Sequence, residues 1–222
     1  MNSSQQYFTS RAHAGWFLAQ QLMSYRYENC VVVALSDGGV QVGEQIASAL
    51  HCSLTMLLME DIEVPGEGTL FGTVDQGGGF TYNQMFSTGE IEEYYSEFHG
   101  YLEDQKREHF QHMNRLLGDG GLISEDMLKD QVVILVADGL PVGASLDAAA
   151  DFLKPIRLQR LVIAAPIASV AAVDRAHVIA DEIHILSVTD NFLDTNHYYE
   201  QNDIPSHEDT IAKINQIILN WK

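Results

Sequence analysis

The sequence predicts a doubly wound α/β fold, in which helices flank a mostly parallel sheet. Short, β-branched apolar runs, such as CVVVAL (30–35) and QVVILV (131–136), are typical of buried parallel strands. Each run leads into a glycine-containing turn and then into a helical pattern, which is the alternation that defines this fold class. Ligand sites of such folds lie at the carboxyl ends of the strands, so we expect functional residues there.

The other elements continue this alternation. Apolar residues at helical spacing predict a first helix over residues 9–25, with Thr9 or Ser10 as its N-cap. The strand at 30–35, the next helix and the next strand predict a right-handed parallel crossover. The later elements are predicted, in chain order, as a helix over 40–50, a strand over 53–59, a helix over 144–154, a strand over 160–166, a helix over 168–180, a strand over 182–188 and a helix from about 206.

Residues 60–86 differ in character from the rest of the chain. They mix acids, glycines and short β-prone pieces, which predicts a flexible flap with strands over 69–74 and 80–83. The run Gly77–Gly79 is the expected turn between these strands. We therefore expect residues 1–222 to form a single domain that carries a flap.

A helical insertion over 87–121 is predicted to follow the flap. Ser87 and Glu90 have capping-box spacing, and apolar residues then follow on one helical face towards Leu117. A break is expected near Gly100, and the run Gly118–Gly121 is expected to end the helix.

The charge balance limits the classes of partner. The 222 residues contain 31 acids against 12 lysines and arginines, a formal net charge of −19. Such a surface repels nucleic acid and anionic membranes, so neither is an expected partner. The N-terminus lacks a signal-peptide pattern, and Cys30 and Cys52 show no metal-ligand spacing. We expect a cytoplasmic protein whose cysteines have packing roles, with one disulfide left open as an alternative.

The loop VADGLPVGAS (136–145) is the most informative segment. A strand that runs into glycines at the start of a helix presents backbone N–H groups on which a phosphate can bind. The same glycines are also what a sharp strand-to-helix turn needs, whatever is bound, and both explanations stay open. The candidate ligand-binding residues of this loop are Asp138, Gly139, Leu140, Val142, Gly143, Ala144 and Ser145.

This loop resembles the one by which type I phosphoribosyltransferases hold 5-phosphoribosyl-1-pyrophosphate (PRPP). The resemblance extends over nearly the whole chain and in the same order. It includes RAHAGWFLAQQL, ALSDGGVQVGEQIASAL, EDIEVPGEGTLFGTV, LVIAAPIAS and HYYEQNDIPSHED. It implies the phosphoribosyltransferase type I fold with a flap or hood. It also implies a pyrophosphate-binding turn formed by Ser36, Asp37, Gly38 and Gly39.

The sequence departs from the family pattern where PRPP would bind. Asp37 stands where the family usually has Arg, and Asp61 where it has Lys. In the loop, Ala137 replaces one of two acids and Val142 replaces a threonine, while Pro141 brings no N–H. These changes predict a degenerate PRPP site.

Three functions remain open at the level of sequence. The first is a non-catalytic or repurposed homologue that binds a phosphoribosyl or nucleotide-like small molecule, or a partner. The alternative is an active, Mg²⁺-dependent phosphoribosyltransferase that acts on a nitrogenous base in nucleotide metabolism. Asp138 would then contact the ribose, and residues 139–145 the 5′-phosphate. The third is a different enzyme that uses an acidic, cation-loaded crevice.

Other polar and aromatic groups allow competing interpretations. Asp37, Asp61 and Asp138 all follow predicted strands of one sheet, so they could hold Mg²⁺. The alternatives are that Asp37 caps the helix predicted from Val40, or that Asp37 and Asp61 point into solvent. His109 and His112 lie at i, i+3, which suits a metal but better suits a solvated helix face.

Two aromatic groups add further expectations. His197, Tyr198 and Tyr199 either stack on a planar ligand or pack the C-terminal segment. The helix after Ser87 carries aromatic side chains that indicate either a hood packed on the core or a subunit contact. They are Tyr94, Tyr95, Phe98 and Tyr101. Since type I relatives commonly pair, the resemblance implies a homodimer.

Overall fold

The computed structural model describes residues 7–117 and 123–220. In this part the chain divides into two compact units. The first, here the parallel-sheet unit, contains the described residues up to 56, from 123 to 143, and from 156 onward. The second, here the antiparallel unit, contains residues 57–117 and 144–155.

The helices and strands follow each other in the order that the sequence predicts, with two additions, β3 and α4. They are α1 (Arg11–Gln21), a 3-10 turn (Met23–Tyr27), β1 (Cys30–Ala34), α2 (Asp37–Leu50), β2 (Ser53–Met56), β3 (Met59–Glu63), β4 (Leu70–Asp75), β5 (Phe80–Tyr82), α3 (Thr88–Leu117), α4 (Glu125–Leu128), β6 (Val132–Val136), α5 (Ala144–Leu153), β7 (Arg160–Ser169), α6 (Val170–Ile179), β8 (Glu182–Thr189), a second 3-10 turn (Thr195–Tyr198) and α7 (His207–Asn220).

A five-stranded sheet with all its pairings parallel forms the centre of the parallel-sheet unit. Its order is β2-β1-β6-β7-β8. Counting only these five strands, this is the order 2-1-3-4-5 of a doubly wound sheet, which confirms the predicted fold class. Every residue of β1 and β6 is buried, as expected of central strands that are covered on both faces. β2 lies on one side of β1, and the later strands are added on the other side, starting with β6. The order in which strands are added therefore reverses between β1 and β6.

Helix α2 begins three residues earlier than the sequence predicts. Its N-cap is Ser36, whose hydroxyl oxygen accepts a hydrogen bond from the Gly39 N–H at 2.9 Å. The predicted turn over 36–39 is therefore the cap and first turn of the helix. The alternative that Asp37 caps a helix from Val40 is wrong, because Ser36 already satisfies the free N–H group there.

The antiparallel unit contains the predicted hairpin and one strand that the sequence analysis missed. β4 and β5 pair antiparallel, and Gly78, at a φ of 83°, forms the turn between them. A single strand was predicted over 53–59, but the chain forms β2 and then β3 in this region. β3 pairs with the other edge of β4. Leu57 and Leu58 are both fully buried. They continue the apolar pattern of β2, so the sequence shows no boundary between β2 and β3. The flexibility of the flap stays a prediction.

Helix α3 begins with the predicted capping box. The Ser87 N–H donates to a Glu90 carboxylate oxygen at 2.8 Å, and the Glu90 N–H donates to the Ser87 hydroxyl at 3.3 Å. The helix is kinked at Phe98 (φ −110°, ψ 20°), close to the break predicted near Gly100. The predicted terminator, Gly118–Gly121, lies outside the described residues.

The aromatic residues of α3 pack within their own unit. The Tyr94 ring lies 5.4 Å from that of Phe86 and 6.2 Å from that of Phe71, and Tyr95 faces the ammonium group of Lys106 at 5.1 Å. Tyr94 and Tyr95 therefore have aromatic and cationic partners inside the antiparallel unit. Tyr101 remains 43% exposed. Among the helices described, none is both long enough and apolar enough to cross a membrane.

Candidate functional site

Two loops meet the criterion for a ligand site in a doubly wound sheet. The segment Ser36–Gly39 follows β1, and the segment Ala137–Gly143 follows β6. β1 and β6 are neighbours, and the strand order reverses between them. Crevices at the carboxyl ends of such strand pairs are where open α/β sheets bind ligands.

The loop after β6 places the carboxylate of Asp138 in a buried ion pair. Arg11 Nε donates to Asp138 Oδ2 at 2.7 Å, and the Ser36 hydroxyl donates to Asp138 Oδ1 at 2.7 Å. The side chain of Asp138 is only 10% exposed. Ser36 therefore links the two loops, because it caps α2 and binds the acid of the neighbouring loop.

Arg11 is the residue of the candidate site that the sequence analysis did not single out. It opens α1 and is 1% exposed, so its guanidinium group needs partners in every direction. Further donors of Arg11 bind Asn196 at 2.6 Å and Asn202 at 3.2 Å. Its guanidinium carbon lies 4.4 Å from the centre of the Tyr199 ring, a cation–π contact.

A signal for Arg11 does exist in the sequence. The residue shares a helical face with the buried Ala14, Gly15 and Leu18, and a charged residue on an apolar face requires a buried partner.

Tyr199 completes the network from the C-terminal segment. Its hydroxyl donates to the backbone carbonyl of Asp138 at 2.5 Å. Burial, and then the nearby Asp138 carboxylate, raise the pKa of the Tyr199 phenol, while Arg11 partly offsets the rise. Of the two roles considered for this aromatic segment, Tyr199 has the packing role, because its ring and its hydroxyl both have partners inside the unit.

Asp37 has a different kind of partner. Both of its carboxylate oxygens lie 2.9 Å from Nδ1 of His207, the first residue of α7. The His207 and Asp37 side chains are 30% and 25% exposed, respectively. The alternative that Asp37 points freely into solvent is wrong, because this acid is held by the C-terminal helix.

The glycines of both loops are required by close contacts inside the protein. A Cβ atom on Gly38 would overlap the Asp138 carboxylate, and one on Gly39 would lie 2.9 Å from the Val136 carbonyl. A Cβ on Gly139 would meet the Thr195 side chain at 2.8 Å, and one on Gly143 would meet that of Arg175 at 2.7 Å. These distances are too short for any side chain, so packing alone accounts for the four glycines.

The remaining predicted loop residues are distributed as follows. Leu140 is fully buried, and its N–H donates to the Ile167 carbonyl at 3.0 Å, so this N–H is already used. Val142 is 42% exposed at the tip of the loop. Ala144 and Ser145 are the first residues of α5 and belong to the antiparallel unit.

Asp61 does not follow a strand of the parallel sheet, which corrects the premise of the predicted three-carboxylate site. It lies within β3 of the antiparallel sheet and accepts a hydrogen bond from the Thr73 hydroxyl at 2.7 Å. Over residues 7–117 and 123–220, no three acidic, histidine or cysteine side chains are grouped so as to hold a metal ion. Asp37, Asp61 and Asp138 therefore do not form such a group.

His109 and His112 are not simply a solvated helix face, as the sequence analysis favoured. Both imidazoles bind the Glu60 carboxylate of β3, His112 through Nδ1 at 2.6 Å. The His112 side chain is 51% exposed and that of His109 24%. The pair links α3 to β3 within the antiparallel unit.

Known proteins similar to this chain carry one recurring name. Two proteins of Mycobacterium tuberculosis, from strains CDC 1551 and H37Rv, are each 26% identical to it over 211 residues, and both are named "Putative phosphoribosyl transferase". The match covers 92% of this chain and 46% of each relative, so the chain spans about half the length of the curated relatives it matches. The chain is therefore similar to type I phosphoribosyltransferases.

A solved structure supports the fold of this phosphoribosyltransferase-like protein over its full length. The crystal structure of TT1426 from Thermus thermophilus is 28% identical in sequence and superposes with a TM-score of 0.71. The superposition covers 97% of this chain and 99% of that one. No protein-family model matches the chain.

Proposed function

We propose that this chain is a phosphoribosyltransferase homologue with a degenerate PRPP site, non-catalytic or repurposed as a ligand- or partner-binding module. The observation that carries the proposal is that Asp138, the one acid kept from the family's acidic pair, already has hydrogen-bond donors inside the protein. Its carboxylate already accepts hydrogen bonds from Arg11 and Ser36. A ribose hydroxyl would have to displace one of these internal donors, and the lost bond would offset the bond gained.

The charges near the other loop also oppose PRPP. Asp37 places a carboxylate at the turn where the family usually presents Arg to the pyrophosphate. One unit charge about 6 Å from a phosphate contributes roughly 3 kcal/mol at an effective dielectric constant near 20. The rest of the chain adds to this repulsion, because its formal net charge is −19.

The expected ligand is a small molecule rather than a polymer. The acidic surface disfavours nucleic acid and anionic membranes, and we place the protein in the cytoplasm. The backbone of Gly139–Gly143 still forms a loop beyond a central strand. A phosphoribosyl or nucleotide-like compound of low charge fits these conditions better than PRPP does.

Calorimetry with PRPP tests the proposal directly. In EDTA, we expect a dissociation constant weaker than millimolar, because repulsion from Asp37 is then unscreened by any divalent cation. The titration is repeated with the Mg²⁺ complex of PRPP as ligand, since Mg²⁺ lowers the charge of the ligand itself. A micromolar dissociation constant in EDTA would overturn the proposal.

Reversion of the departures provides the complementary test. We expect the combination of Asp37→Arg, Ala137→Asp, Val142→Thr and Asp61→Lys to restore measurable PRPP binding, because the loop glycines are intact. A triple variant without Asp61→Lys separates the two units, since only Asp61 lies in the antiparallel one. Asp37→Asn is the matched control that removes negative charge without adding positive charge. If the quadruple variant folds and still does not bind PRPP, the backbone of the loop prevents binding, and Pro141 is the first residue to test.

The second candidate function is an active phosphoribosyltransferase that acts on a nitrogenous base. The name of the M. tuberculosis relatives favours it. Catalysis would then rest on positioning, with Asp138 at the ribose and Gly139–Gly143 at the 5′-phosphate. Mg²⁺ would arrive bound to the phosphates of the substrate. Pyrophosphate release from Mg²⁺–PRPP with a panel of bases distinguishes this candidate, since the first proposal expects none.

A homodimer remains part of the proposal. With a net charge of −19 on each chain, association must be driven by apolar burial and opposed by repulsion. A dimer should therefore tighten with added salt. Sedimentation at low and high ionic strength checks this, and a monomer in both conditions at tens of micromolar protein would contradict it.

A further inference from the structure

The two cysteines of the chain lie side by side at the amino-terminal edge of the parallel sheet. Cys30 is the first residue of β1, and Cys52 directly precedes β2. β1 and β2 are parallel, and Val31 pairs with Ser53. When this register is continued by one residue towards the amino ends of both strands, Cys30 lies opposite Cys52.

The geometry of neighbouring strands suits a bond between these residues. Side chains of a strand alternate between the two faces of a sheet, so residues in register point to the same face. Neighbouring strands lie about 4.8 Å apart, which falls within the Cα separations of about 4.4–6.8 Å that disulfides span.

The two thiols already interact. Their contact lowers the pKa of Cys30 and raises that of Cys52. Cys30 is 6% exposed, and its sulfur also contacts the Tyr25 carbonyl at 3.7 Å. Cys52 is partly exposed and is the sulfur that solvent can reach. Cys52 is therefore the thiol that a small disulfide reaches first, and Cys30 is the neighbouring thiol that can displace the mixed disulfide.

We propose that Cys30 and Cys52 form a reversible dithiol–disulfide site, oxidised by low-molecular-weight disulfides. A thiolate of the pair attacks one sulfur of the small disulfide, and the first small thiol leaves. The second protein thiolate then displaces the second small thiol, and the bond between Cys30 and Cys52 forms. Two electrons pass from the protein to the small disulfide, and the two thiol protons end on the released thiols.

Mass spectrometry with glutathione disulfide tests the site on the full, folded chain. In the wild type, we expect the loss of two hydrogen atoms and no lasting glutathione adduct, and a digest should contain one peptide pair that links Cys30 and Cys52. In Cys30→Ser, the adduct on Cys52 should persist at near-stoichiometric yield, because no resolving thiol remains. In the matched control Cys52→Ser, the shielded Cys30 should gain far less adduct.

Three results would overturn the site. The first is a wild type that keeps a stable adduct on Cys52 to the same extent as Cys30→Ser. The second is a linkage between two chains instead of within one. The third is a folded wild type whose two thiols stay free under conditions that oxidise the chain in urea. Cys30→Ala provides a second variant if the serine perturbs the buried position.

Discussion

Among the described residues, the two units differ in how deeply their most buried ion pair lies. In the parallel-sheet unit, Arg11 and Asp138 are 1% and 10% exposed, and their pairing is shielded from solvent. In the antiparallel unit, the acids Glu60 and Glu103 pair with groups near the surface, and His112, a partner of Glu60, is 51% exposed. Solvent screens the second kind of pair and leaves the first almost unscreened. Contacts of similar length therefore have very different consequences for stability.

The largest effect is expected from breaking the buried pair on one side only. Arg11→Met should lower the free energy of unfolding by about 3–5 kcal/mol, because Asp138 is then a buried, uncompensated charge. Urea unfolding at pH 7 measures the loss. The double variant Arg11→Met with Asp138→Leu, which removes both charges, should recover a large part of it. A loss below about 1 kcal/mol in the single variant would mean that the pair behaves like a surface pair.

A smaller effect is expected from the residue that links the two loops. Ser36→Ala removes the N-cap of α2 and one donor to Asp138, and should cost about 1–2 kcal/mol in the same unfolding assay. Ser36→Thr keeps the hydroxyl and serves as the matched control. Equal losses in the two variants would show that the space around Ser36, rather than its hydrogen bonds, determines the result.

The Tyr199 hydroxyl provides a test with a defined pH dependence. Tyr199→Phe keeps the ring beneath Arg11 and should cost about 1 kcal/mol through the lost hydrogen bond. Because folding raises the pKa of this phenol above its ordinary value of 10.0, the wild type should lose stability as the pH rises above 10. The variant lacks this loss, so the two unfolding curves should converge above pH 10. A constant difference from pH 8 to pH 11 would contradict the buried position of the hydroxyl.

The smallest effect is expected in the capping box of the antiparallel unit. The hydroxyl and N–H of Ser87 lower the pKa of Glu90 below its ordinary value of 4.5. The Glu90 carboxylate therefore stabilises the fold above that pH, and the contribution is lost as the pH falls through the lowered pKa. Glu90→Gln should shift the urea midpoint slightly at pH 6, and the shift should shrink as the pH falls below 4.5. A shift that keeps the same size as the pH falls would rule out an electrostatic origin.

The fold was predictable because its strands and helices are marked by local patterns. β1 and β6 are continuous apolar runs. The spacing of Ser87 and Glu90 is enough to indicate the capping box of α3. β3 was missed because the buried Leu57 and Leu58 continue the apolar pattern of β2. A pattern of hydrophobicity cannot distinguish a strand that continues from a chain that leaves one sheet and enters another.

The candidate site was predictable in position but not in its contacts. The two loops follow β1 and β6, as their sequences indicate. The partner of Asp138, however, lies 127 residues away in Arg11, and that of Asp37 lies 170 residues away in His207. Such pairs depend on how the helices pack against the sheet, which no local spacing encodes. Asp61 was placed in the wrong sheet because β2 and the start of β3 were predicted as one strand over 53–59.

Gly38 shows that a glycine in a sequence signature can have a structural reason of its own. Any larger residue at this position would collide with the carboxylate of Asp138, a group that belongs to the protein itself. Selection could therefore retain the glycine in descendants that have lost every substrate. A pattern search built on this turn detects an architectural constraint, and only the chemistry of the side chains around it can show whether a substrate still binds.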